Sequence, residues 1–171
     1  GIGTVLEDNP RLDVRLVDTP RQPIRVLVDS RLQVPLDAHI LRAKSPLYIY
    51  AAEQNDAKKS ALEALGATVI HLPNDQGKVD LAAMLRDLGA RQINELHIEA
   101  GAKLNGSLIR AGLVDEFLVY LAPQLIGAGR GMAEFGPLAA LSDATPLSFE
   151  STTLVGPDLR ILARIPGRDV F

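Results

Sequence analysis

Apolar residues along the chain fall into short unbroken runs, separated by stretches in which they recur three and four positions apart. "IRVLVD" (24–29), "LYIYAA" (47–52), "ATVIHL" (67–72) and "ELHIEA" (95–100) are runs of the first kind. Short continuous runs rich in β-branched and aromatic residues read as buried strands. "NDAKKSALEALG" (55–66) and "DLAAMLRDLGA" (80–90) have the helical spacing instead. Asn55 and Asp80 stand at the cap positions, and Gly66 and Gly89 stand where the two helices should stop. A further helix is expected over 104–112, and a fifth strand within "DEFLVYLAPQLIG" (115–127).

Strands alternating with helices predict an α/β domain with a largely parallel sheet. The end of the chain departs from that rhythm. "LSFESTTLV" and "LRILARI" flank Gly156-Pro157-Asp158, the pattern of an antiparallel hairpin with a tight turn. The expected fold is therefore a mixed, mostly parallel sheet flanked by helices, with a C-terminal β-hairpin. "IGAGRGMAEFGPLAAL" (126–141) is irregular and glycine-rich, and is expected to be a mobile loop. No repeat or low-complexity linker interrupts the pattern, and 171 residues suit one domain with a sizeable core.

Composition narrows the chemistry by exclusion. A formal charge of -3 lacks the basic footprint of a protein that grips nucleic-acid backbone. There is no cysteine, so no disulfide, thiolate nucleophile or zinc knuckle. His39, His71 and His97 lie far apart without metal-ligand spacing, and no metal is expected. His71 and His97 lie within apolar runs, where a packed, hydrogen-bonded histidine is the commoner role. No apolar run approaches the ~18 residues a membrane span needs, and no signal peptide is visible. A cytoplasmic protein is the expectation.

Ligands of open α/β sheets collect beyond the carboxyl ends of the strands. Three polar stretches belong there: Asp29-Ser30 after "RVLV", the opening Thr4…Asp8…Arg15 segment, and Glu99 with the turn Gly101–Ser107. Glycines before a helix let a phosphate approach unpaired backbone N–H groups. The spacing of Gly101 and Gly106 matches a Walker loop, but Ser107 stands where the lysine belongs. On these residues alone, a plain β-to-α turn with a capping residue explains the stretch slightly better. Gly127-x-Gly129-x-Gly131 has no helix pattern directly after it and reads as loop. Lys58, Lys59 and Lys103 read as solvated charges.

"GIGTVLEDNPRLDVR" (1–15), "QPIRVLVDS" (22–30), "HIEAGAKLNGSLIRAGLVDE" (97–116) and "YLAPQLIG" (120–127), in this order, resemble the reductase half of the bifunctional riboflavin-biosynthesis deaminase–reductase. The resemblance spans essentially the whole chain. It implies a dihydrofolate-reductase-like fold and NADPH-dependent reduction of 5-amino-6-(5-phosphoribosylamino)uracil, hydride passing to C1′ of the opened sugar. It assigns Thr4, Asp8 and Ser30 to NADPH, together with Gly101, Ala102, Lys103, Leu104, Asn105, Gly106 and Ser107. It assigns Leu12, Arg15 and Glu99 to the substrate. Arg15 is then the candidate for the sugar phosphate, which a guanidinium can grip bidentately. A homodimer is implied, with 117–126 as a source of apolar surface, and so is a parent chain fused to a zinc deaminase domain. The family's reductase half begins with a Lys-containing strand, an "SLDG"-like segment and a helix that have no counterpart here. The chain is accordingly expected to be an N-terminally incomplete reductase domain without the deaminase. Asn9 stands where the family often has Asp, and Ala100 where Gly is common. Two other readings compete: a pterin-type reductase on the same fold, which Arg15 disfavours, and a binding or assembly module that has lost catalysis.

Overall fold

The computed structural model describes residues 1–167. They form two compact units, which divide between Gly101 and Ala102.

The first unit is built on three parallel strands, β1 (Arg25–Val28), β2 (Leu47–Ala51) and β3 (Ala67–His71), in the order β1-β2-β3. Arg25, Leu47 and Ala67 align across the sheet start. Alternate residues point to opposite faces, and both faces are covered. Leu27, Ile49 and Val69 join one core with Val5, Val34, Ile40 and Leu62. Tyr50 joins the other with Val79, Met84 and Leu88, and Val26, Val28, Tyr48 and Ile70 pack against it. Burial on both sides is why these strands read as unbroken apolar runs.

Helix α2 (Asp56–Ala64) supplies Leu62 to the first core. Its cap is as expected: the Asn55 side chain accepts from the Lys58 N–H at 2.9 Å, and Gly66 follows with φ +88°. Helix α3 (Leu81–Ala90) supplies Met84 and Leu88 to the second core, and Asp80 caps it through the Ala83 N–H at 2.9 Å. Gly89 does not close this helix. It lies inside, and the left-handed residue is Gln92, φ +65°, whose N–H bonds the Gly89 carbonyl. Helix α1 (Ile2–Asp8) was not foreseen. It has no capping side chain and a glycine at position 3, so propensity gives no signal. It buries only Val5 and ends at Asn9 in the left-handed region.

The run 95–100 is not a strand. Residues 93–100 carry no ladder, and Glu95, His97, Ile98 and Glu99 are exposed. A strand needs a neighbour to take its backbone groups, and none of the strands described pairs with this run. Only Ile93 and Leu96 pack against the second core.

A side-chain network ties β2 to α3. The Tyr50 hydroxyl donates to Asp87 Oδ2 at 2.6 Å, Arg91 Nε donates to the same oxygen at 2.7 Å, and the guanidinium lies 4.8 Å from the Tyr48 ring centre. Hydrogen bonds from Arg91 and then Tyr50 hold the Asp87 carboxyl below the usual aspartate range. Burial, reinforced by Asp87, pushes the Tyr50 phenol up. A carboxyl with a depressed folded pKa stabilises fully above the unfolded value and loses that contribution as pH falls through the folded one. Asp87→Ala should therefore cost about 1–2 kcal/mol at neutral pH. Urea unfolding should show the gap between variant and parent narrowing towards pH 3.

The second unit holds α4 (Ala102–Arg110) and an antiparallel sheet, β4 (Glu116–Leu121), β5 (Ser148–Val155) and β6 (Asp158–Arg164), ordered β4-β6-β5. The helix begins two residues earlier than expected and ends with Gly112 at φ +65°, its N–H on the Ile109 carbonyl. The hairpin forms as read: Val155 pairs with Asp158 around Gly156-Pro157, and Gly156 has φ +60°. Glycine with positive φ at the first turn position is what a type II′ connection requires. The chain is thus an α/β protein with a parallel three-stranded sheet, flanking helices and a C-terminal antiparallel hairpin, its described strands forming two separate sheets. No helix among the described residues is long and apolar enough to cross a membrane.

Candidate active site

At the carboxyl end of β1 the chain turns sharply. Asp29 is fully buried and accepts from the Leu32 N–H through its carbonyl (3.1 Å) and from the Val34 N–H through Oδ2 (2.8 Å). Leu32 adopts φ +52° to make this turn. Asp29 Oδ1 has no partner among the described residues, an orphaned acceptor in a dry place. Ser30 follows. Its carbonyl accepts from the Ala52 and Glu53 N–H groups, and its Oγ accepts from the Val79 N–H at 3.2 Å. That contact engages a lone pair and leaves the hydroxyl proton for another acceptor.

Thr4 and Asp8 are four apart on α1 and so share a face; Thr4 is half-buried and Asp8 exposed. Beyond the helix, Asn9 ties the segment to the 3-10 turn His39–Leu41. Its Oδ1 accepts from the His39 N–H at 2.8 Å, and its carbonyl lies 3.1 Å from His39 Nδ1. Leu12 takes φ +53° and packs against the first core. Arg15 is exposed, and its Nη1 donates to Asp13 Oδ1 at 2.9 Å. The other edge of the guanidinium is not engaged among the described residues. Glu99 is exposed, 3.6 Å from His97 Nε2.

The turn Gly101–Ser107 leads into and forms most of α4. Lys103 is exposed, and Ala102, Leu104, Asn105 and Ser107 are half-buried. Ser107 Oγ donates to the Lys103 carbonyl at 2.9 Å. The two glycines differ sharply. A Cβ on Gly101 would meet nothing within 4 Å, so a ligand can reach the backbone there. A Cβ on Gly106 would lie 2.0 Å from the Glu134 carbonyl oxygen, so that face is filled by protein. Taken one by one, open backbone before a helix start suits a phosphate, an exposed guanidinium suits an anion, and an exposed carboxylate suits hydroxyl or N–H groups. His39 and Asn9, which fix the loop bearing Leu12 and Arg15, are contacts that residue type alone did not signal.

Residues 1–161 match the family model described as the RibD C-terminal domain. The chain belongs to the RibD C-terminal domain family. Among curated relatives, it is 36% identical to the riboflavin biosynthesis protein RibD of Bacillus amyloliquefaciens, over 100% of this chain and 48% of that protein. It is 27% identical to the 5-amino-6-(5-phosphoribosylamino)uracil reductase of Buchnera aphidicola, over 93% of this chain and 81% of that protein. Acinetobacter baumannii RibD superposes with a TM-score of 0.82 at 27% identity, covering 95% of this chain and 44% of the other. The chain thus spans about half the length of the RibD proteins it matches.

Proposed function

We propose that residues 1–171 are a reductase domain that converts 5-amino-6-(5-phosphoribosylamino)uracil to its ribitylamino product with NADPH. The observation that carries this reading is the family match across 1–161. When bound, the cofactor would be the source of a hydride for C1′ of the ring-opened sugar, reduction of the C1′=N bond to an amine also taking up one proton. Among this chain's residues, Ser30 would donate its hydroxyl proton to the cofactor, and Thr4 and Asp8 would present their shared α1 face to it. The open backbone at Gly101, with the first turn of α4 over 102–105, would receive the phosphates on helix N–H groups. Arg15 would bind the sugar phosphate through the edge opposite Asp13, which holds the guanidinium in place. Glu99 would accept substrate O–H or N–H groups, and Leu12 would bound the pyrimidine. Fixing both reactants in one geometry is the main service such a site renders.

The parent protein would carry a zinc deaminase domain beside this one, in keeping with the length of the matched RibD proteins. A homodimer is the proposed assembly, with the exposed side chains of Leu118 and Tyr120 on one face of β4, and of Leu125 and Ile126 beyond it, as the apolar surface it would cover. Titration with NADPH should quench nicotinamide fluorescence, and addition of the aminopyrimidine should then deplete absorbance at the reduced-cofactor band. Binding without depletion would favour a non-catalytic module. Depletion with a pterin but not the aminopyrimidine would favour the pterin-type reading.

A further inference from the structure

In the second unit, the segment 132–134 of the glycine-rich loop lies directly on α4. The Glu134 N–H donates to the Ala102 carbonyl at 2.8 Å, at the first residue of the helix. Asn105 Nδ2 donates to the Met132 carbonyl at 2.9 Å. Arg110 Nη2, at the last residue, donates to the Glu134 carbonyl at 3.1 Å. Between these anchors Gly106 is buried, and a Cβ there would lie 2.0, 2.4 and 2.8 Å from Glu134 O, C and N. All three are backbone atoms, which cannot swing aside as a side-chain tip can. The missing side chain of Gly106 is thus the seat of the loop, and it has no room left for a phosphate.

We propose that Asn105, Gly106 and Arg110 form a latch that holds this loop on α4, and that they are positioning residues for cofactor binding. The link is the Glu134–Ala102 bond, which ties the loop to the turn that would receive the phosphates. Releasing the loop frees that turn. The inference rests on the reading that the first turn of α4 holds the nicotinamide dinucleotide. Arg110 is the informative member, because it lies at the opposite end of the helix from Gly101.

The test measures two quantities on the full protein and on Gly106→Ala, Arg110→Ala and Arg110→Lys: amide hydrogen exchange over 130–136, and the NADPH dissociation constant. Gly106→Ala should speed exchange at Glu134 and weaken NADPH binding by about tenfold or more, as a lost close packing does. Arg110→Ala should do both by about fivefold, the value of one hydrogen bond, and Arg110→Lys should recover part of each. Weakened binding with unchanged exchange would overturn the proposal in favour of direct phosphate approach at Gly106. Faster exchange with unchanged binding would reduce the latch to a loop clamp and overturn its positioning role. If the unmodified protein bound no NADPH, the reductase reading would fall and the positioning role with it, while exchange at Glu134 would still report whether the latch exists.

Discussion

Arg25→Met should destabilise the protein by about 3–5 kcal/mol, because it strips donors from buried carbonyls. Arg25 is 3% exposed at the start of β1. Its guanidinium donates to the carbonyls of Ile40, Ala43 and Ser45 and to Ser45 Oγ, gathering the loop before β2 around one cation. Burial pulls its pKa below the usual arginine value, against a smaller opposing pull from Asp13. Methionine matches the length but leaves several acceptors unpaired, each costing about 1–3 kcal/mol when water is excluded. A cleft of about 490 Å³ lined by Arg25, Lys44, Ser45 and Gly66 lets water reach one side. That access is why the lower part of the range is expected. Net stabilities of domains are about 5–15 kcal/mol, so the change should be obvious in the urea midpoint. A loss under about 1 kcal/mol would mean that water replaces the guanidinium and that the loop does not depend on it.

Arg15→Ala should raise KM for the phosphorylated substrate by about 10- to 150-fold with little change in kcat, the mark of a contact made equally in ground and transition states. Arg15 is held by Asp13 at 2.9 Å and otherwise faces solvent. An exposed pair of this kind contributes little to stability, so the variant should unfold like the parent. The same measurement on a substrate lacking the 5′-phosphate supplies the control, since removing the arginine should then change nothing further. An equal loss on both substrates would place Arg15 elsewhere in the site.

The three parallel strands and α2 and α3 were legible because burial on both sheet faces leaves unbroken apolar runs, and Asn55 and Asp80 mark the helix starts. The run 95–100 shows the limit of that signal. Its residues have strand chemistry, but a strand is a property of two chains of backbone, and pairing is not written in one segment. The same holds for Arg25. A charged residue at a strand start reads as solvated until the folded loop brings carbonyls to it. The glycines of the α4 turn carried a genuine ambiguity. Spacing suggested phosphate approach for both, yet Gly101 is open and Gly106 is filled by Glu134, a partner 28 positions away in sequence. The roles of Thr4, Asp8, Leu12, Arg15, Ser30 and Glu99 came from resemblance and not from periodicity. No local pattern tells a carboxylate that reads a substrate from one that only neighbours a histidine, and Glu99 lies 3.6 Å from His97 Nε2.

Deuterium transfer tests the central claim most directly. With NADPH deuterated at the transferable C4 position and 5-amino-6-(5-phosphoribosylamino)uracil as substrate, the ribitylamino product should gain one deuterium, located at C1′. A product without deuterium, or no reduced product from an enzyme that binds both reactants, would contradict the assignment of this chain as a hydride-transferring reductase.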